Sequence, residues 1–223
     1  YSVSGTRTNY LDPVEVAFLF AADANVFVAA SAGNDGPANT VAHMSPWLTT
    51  VAASTLDRRL VADLVLGDGQ RFTGLSVQNT GVPAAPFVLA ENAGFQPAAS
   101  LTPSQLLALQ RCYNSADLAD PTLGAVGAAG ALDPGKVAGK IVLCDRGGNA
   151  RVNKSDAVRV AGGVGMVQTN TSAAQTLNAD VHSLPSIHLA SSARAAVRSY
   201  AALPASTASF TALPRDSVQR GDD

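Results

Sequence analysis

The chain has 223 residues, enough for one large domain or two smaller ones with real cores. Hydrophobic residues make up 47% and aromatics 5%, so Ala and Val do most of the filling. Charged residues are 14% and the net charge is −2, which gives no electrostatic reason to expect nucleic acid or an anionic membrane as partner.

In chain order, Asp12 followed by Pro13 and Glu15 predicts a helix start: the Asp caps free N–H groups, Pro sits where no N–H is missed, and Glu15 faces the positive end of the dipole. The helix is expected to run to about Ala24. Val26 to Ala30 (VFVAA) predicts a short buried parallel strand, Ser31 to Pro37 (SAGNDGP) a loop, and Thr49 to Ala53 another strand. That order suggests a fragment of an α/β sheet. Val61 to Leu66 and Arg71 to Val77, around Gly67-Asp68-Gly69, predict a β-hairpin. The Pro-, Gly- and Ala-rich stretch Gly81 to Pro86 is expected to be a domain crossing.

A second unit, an α+β or β-barrel-like module, should then run to about Leu203. Its predicted parts are a buried strand Lys140–Cys144, a Gly147-Gly148 turn and a helix Ala150–Ala161 ended by Gly162-Gly163. A strand Gly165–Gln168, a strand Ser186–Leu189 and a helix from Ser191 or Ser192 to Ala202 follow. Thr207 to Thr211 reads as a last short strand, and Arg215 to Asp223 as a disordered polar tail. The expected division is 1–80, 81–205 and 206–223. No apolar run approaches about 18 residues, so no membrane span is expected. Tyr1 opens directly into polar sequence, so an export signal is expected upstream.

The spacing of chemical groups is mostly negative. Nucleophilic hydrolysis needs an activated Ser or Cys with a His base and an orienting carboxylate. His43, His182 and His188 are the histidines, no serine sits in a G-x-S-x-G elbow, and surface or capping roles are the commoner use of such histidines. Asp180, His182 and His188 match no standard zinc spacing. Gly130 to Lys136 (GALDPGK) fits G-x-x-x-x-G-K, but Val137 stands where a phosphate-binding loop needs Ser or Thr. Gly162 to Gly165 (GGVG) enters a strand, the reverse of a dinucleotide fingerprint. Cys112 and Cys144 are either two buried free thiols or one disulfide, the second being preferred. Asn153-Lys154-Ser155 and Asn170-Thr171-Ser172 are glycosylation sequons.

The strongest signal is Val26 to Pro37. A buried strand ending in small residues delivers Asn34 at its carboxyl end, where α/β folds place their chemistry and where an amide can donate to a developing oxyanion. An ordinary Asn turn competes with that role on spacing alone.

Ala30-Ser31-Ala32-Gly33-Asn34-Asp35-Gly36-Pro37 resembles the A-x-x-G-N-x-G-P loop of the subtilisin-like serine proteases. The flanking helix and Ser45–Ala53 resemble that family too. Gly139–Gly147, Ala161–Met166 and Ala179–Pro185 resemble the protease-associated (PA) domain, which such proteases carry between the oxyanion asparagine and the nucleophilic serine. The resemblance implies an α/β catalytic-domain fragment plus an α+β, β-barrel-like PA domain. It implies Asn34 as oxyanion donor and a Cys112–Cys144 disulfide. The family's Asp, His and Ser motifs (D-T/S-G-I, H-G-T-H, G-T-S-M-A-x-P) are absent from this sequence.

The expectation is therefore an internal region of a secreted endopeptidase, inactive alone, with protein or peptide substrates and PA-mediated substrate guidance or homodimer contacts. No cofactor is expected. Calcium, common in the family, has no convincing ligand cluster here. The alternatives are a stand-alone protein- or peptide-binding module and a pseudoprotease.

Overall fold

A computed structural model describes residues 1–35, 39–53, 58–119, 130–212 and 219–220. The chain divides into two compact units, Tyr1–Leu56 and Asp57–Asp223.

In the first unit α1 spans Pro13–Asp23, with the Asp12 side chain accepting from Val14 N–H at 3.0 Å and Pro13 in the first turn. Its far end closes in a Schellman motif. Asn25 is left-handed (φ 59) and its N–H donates to Ala22 O, while Val26 N–H donates to Ala21 O. That cap removes Val26 from the predicted strand. β1 is only Ala29–Ser31, paired parallel with β2 (Thr49–Val51) in the register Ala29↔Thr49. Val26 and Phe27 are 54% and 79% exposed, against the buried strand their apolar run predicts. Such a run needs a layer on each face of a parallel sheet, and the described residues of this unit supply one helix and two strands.

The second unit begins with β3 (Arg58–Arg59), then the hairpin β4 (Val61–Leu66) and β5 (Arg71–Leu75). There follow β6 (Val82–Leu89), α2 (Pro103–Gln110), α3 (Pro134–Val137), β7 (Ile141–Asp145), α4 (Arg151–Val160) and β8 (Gly165–Thr169). Last come β9 (Ser186–Leu189), α5 (Ser191–Ala201), β10 (Thr207–Phe210) and β11 (Gln219–Arg220). Seven strands close a barrel in the order β10-β4-β5-β9-β8-β7-β6. Its β6, β7, β8 and β9 run parallel, and the remaining pairings are antiparallel. Among the described residues no helix is long and apolar enough to cross a membrane.

Two expectations are corrected here. The hairpin belongs to the barrel, not to the first unit: β4 pairs with β10 and β5 with β9. The stretch expected to cross between domains is the first half of β6. Val82–Pro86 pairs with β10 alone, and only Phe87–Leu89 also pairs with β7. Pro83 and Pro86 can sit there because that half of the strand has a free side, where a missing N–H costs no ladder bond. Of the tail expected to be disordered, Gln219–Arg220 pairs antiparallel with Arg58–Arg59, and residues 213–218 and 221–223 lie outside the described residues.

The core follows from period-two alternation. Every residue of β7 is buried. Val142 and Cys144 pack with Leu109, Tyr113, Val137 and Val158 beneath the helices. Ile141 and Leu143 face the other way, into a cluster with Leu64, Leu66, Phe87, Ile187 and Phe210. At the β5–β9 closure a Cβ on Gly74 would lie 2.7 Å from His188 O, so the two strands meet only because that residue is Gly. The glycine predicted to stop α4 does so, with Gly162 at φ 80 beyond the Ala161 cap.

Candidate functional site

In the first unit, Ala32 N–H donates to Val51 O at 3.0 Å and Ala42 N–H donates to Ala32 O at 2.9 Å. These bonds pinch the base of a loop that leaves the carboxyl end of β1. Gly33 turns the chain at φ 83 and Asn34 follows it, exposed. Asp35 holds Arg7 Nη2 at 2.6 Å. Gly36, Pro37 and Ala38 lie outside the described residues. An exposed side-chain amide just beyond the carboxyl end of a strand can donate to an anionic oxygen.

Behind this loop lies a polar cluster that no local sequence signal announces, because its members are 28 and 30 residues apart. Glu15 is 0% exposed and His43 1%. His43 Nδ1 lies 2.5 Å from Glu15 Oε1, His43 Nε2 donates to Val3 O at 3.0 Å, and Ser45 Oγ donates to Glu15 Oε2. Trp47 Nε1 donates to Glu15 O at 2.9 Å. Glu15, expected to face the positive end of the helix dipole, is thus a buried anchor as well. Ser45 bonds the carboxylate and not the imidazole, so the three do not form the nucleophile–base–orienter relay that hydrolysis requires.

In the barrel unit, His182 and His188 part company. Ser155 Oγ meets His182 Nδ1 at 3.0 Å, but Ser155 is fully buried and its hydroxyl donates to Val152 O. Burial lowers the His182 pKa. His188 lies in the core with Nε2 2.7 Å from Asn170 Oδ1 and Nδ1 3.1 Å from Asn178 N. Burial pushes His188 down to about 4. Asp180 is held by Arg151 through two bonds, of 2.5 and 3.0 Å, and that hydrogen-bonded guanidinium keeps its carboxyl below the usual range. The three residues weighed as zinc ligands therefore have separate partners. Among the described residues no three His, Cys, Asp or Glu side chains are placed to hold a metal ion.

Lys154, on α4, is fully buried. Its Nζ donates to Arg111 O at 2.9 Å, Gly147 O at 3.1 Å and Asn149 Oδ1, so one ammonium ties α2, the β7–α4 turn and α4 together. Burial, helped by nearby Arg111, pushes it down to about 7. Beside it Cys112 and Cys144 form a disulfide, with Cα atoms 5.7 Å apart. Both sequons fall on occupied asparagines. Asn170 is 1% exposed and its Nδ2 donates to Gln175 O, while Asn153 Nδ2 donates to Asp117 Oδ1. Lys136, in the phosphate-loop look-alike, donates to Gly94 O at 2.5 Å.

A family model described as "PA domain" matches residues 84–197. The subtilisin-like protease SBT1.7 of Arabidopsis thaliana is 38% identical over 215 residues, 94% of this chain and 25% of that protein. SBT1.6 of the same plant is 37% identical over 198 residues, 88% of this chain and 23% of that protein. The chain thus spans about a quarter of the length of the curated relatives it matches, and a match covering 94% of it takes in both units. A solved psychrophilic subtilisin-like protease, Apa1 from the Antarctic psychrotroph Pseudoalteromonas sp. AS-11, covers 99% of this chain and 56% of its own at 15% identity. Its TM-score of 0.43 is too low to establish a shared arrangement.

Proposed function

The chain belongs to the PA-domain family, and from that premise we propose that it is an internal region of a secreted subtilisin-like serine endopeptidase. The first unit is then the part of an α/β catalytic domain that carries the oxyanion amide, and the barrel is an accessory module. The observation that carries this is the identity of 38% to a subtilisin-like protease across both units, well beyond the PA match at 84–197. The disulfide agrees with an oxidising, extracellular compartment.

In this reading Asn34 does not touch the ground-state carbonyl strongly. Its N–H donates to the oxygen once attack by the serine has made it an anion, and a donor fixed beforehand costs no reorganisation at that moment. The Asp, His and Ser that generate the nucleophile come from other parts of the longer protein, so the 223-residue chain alone cleaves nothing. The barrel guides protein substrates or contacts a partner subunit. An apolar groove of about 370 Å³ lined by Val82, Pro83, Ala85, Val164 and Pro185 is a surface suited to an extended peptide. The test is turnover of a chromogenic peptide. The purified chain should show none above background, and turnover abolished by a serine-directed inhibitor would refute the reading.

A further inference from the structure

His43 is constrained at both its backbone and its side chain, and it directly follows Ala42, which closes the base of Asn34's loop. Its φ is +54, a left-handed conformation that non-Gly residues adopt only when their surroundings hold them there. Here the hold comes from every side. Its N–H donates to Thr6 O and its carbonyl accepts from Thr50 Oγ1. Its ring bonds Glu15 and Val3 O, and stands edge-on to Tyr1 and Phe18 at 5.4 and 5.9 Å. A Cβ on Gly5 would lie 2.0 Å from the ring, so the N-terminal segment closes directly over it. One residue before His43, Ala42 N–H makes the bond that shuts the base of the Asn34 loop.

We propose that the buried Glu15–His43 pair is the positioning device of that loop: it pins the left-handed residue at which the loop ends, and so fixes the Ala32–Ala42 base from which Asn34 projects. Val3 O can only accept, so Nε2 carries a proton. Nδ1 then faces a carboxylate that Ser45 also bonds. The pair satisfies its own polar atoms inside an apolar shell, which makes it rigid and gives the loop exit one arrangement. Glu15 and His43 are positioning residues and need not touch substrate. The inference rests on the reading of Asn34 as oxyanion donor, but the geometry it asserts can be tested without that reading.

The test uses the full 223-residue chain as Glu15→Leu, which removes both carboxylate oxygens that face His43 and Ser45, and as His43→Gly. The second keeps the left-handed backbone accessible and removes only the ring, so it covers the case in which the first does not fold. Amide hydrogen exchange should rise at least about tenfold at Ala32 and Ala42, while amides near the far end of α1 such as Ala24 keep their rates. Unchanged rates at Ala42, or a rise shared by the whole unit, would overturn the proposal. In the longer protease the same substitutions should lower kcat with KM unmoved. Asn34→Ala is the companion control. If it leaves kcat intact, the oxyanion reading fails and the exchange result still stands or falls by itself. If it lowers kcat while Glu15→Leu and His43→Gly do not, the positioning role is wrong.

Discussion

His188 should make the barrel acid-sensitive above the pH range in which carboxylates titrate. Its Nε2 lies 2.7 Å from Asn170 Oδ1 and its Nδ1 3.1 Å from Asn178 N, a setting that suits the neutral ring with its proton on Nε2. Asn178 O, also 3.1 Å from Nδ1, favours protonation, but burial outweighs it and the folded value falls to about 4. The unfolded chain takes up this proton near the ordinary 6.5, so between 6.5 and 4 the unfolded state binds more protons. The contribution is complete above 6.5 and is lost as pH falls towards 4. Each pH unit between the two values is worth about 1.4 kcal/mol, so acidification from neutral removes about 2 kcal/mol by pH 5 and about 3 by pH 4.

His182, also lowered by burial, acts in the same direction, so the comparison must be with a variant. His188→Gln cannot take up a proton. Urea denaturation followed by far-ultraviolet circular dichroism should show it losing about 2 kcal/mol less than the unmodified chain between pH 7 and pH 5. Parallel pH profiles for the two would refute the reasoning.

Lys154 should give the opposite end of the pH scale its own signature. Its folded value of about 7 lies below the ordinary 10.5, so the cost of burying the ammonium is full below 7 and is relieved as pH rises towards 10.5. The chain should gain about 2 kcal/mol between pH 7 and pH 9, and Lys154→Met should gain none of it. A flat urea midpoint for the unmodified chain would count against this. Reducing the Cys112–Cys144 bond, which closes a separation of 32 residues, should cost about 3–4 kcal/mol in the chain-entropy account. A thermal melt with and without reductant measures it, and an unchanged Tm contradicts it.

Much of the barrel is legible in the sequence because its strands are short apolar runs bounded by glycine and its helices have punctuated ends. β7, α4, β8, β9, α5 and the β4–β5 hairpin all lie close to where their patterns predict them. β6 is not legible. Its prolines argue for a crossing, and only the pairing of β6 with one neighbour along its first half makes them compatible with a strand. α2 is missing from the sequence expectations although Thr102-Pro103-Ser104-Gln105 spells a capping box with Pro in the first turn, and both of the box's bonds are formed. In the first unit the helix start is written locally, whereas the exposed Val26 and Phe27 follow from a cap made by Asn25. Asn34 is marked by its glycine-flanked loop. Glu15 and His43 carry no mark, because a buried pair separated by 28 residues is a property of packing and not of pattern.

The central claim is that Asn34 supplies the oxyanion donor of a subtilisin-like protease. The direct measurement is steady-state hydrolysis of a peptide by the longer protein with Asn34→Ala. Asn34 is exposed, so stability should be unchanged. The account predicts a fall in kcat of about 10²–10³, the size associated with losing one oxyanion donor, with KM nearly constant. A variant that keeps its kcat would contradict it.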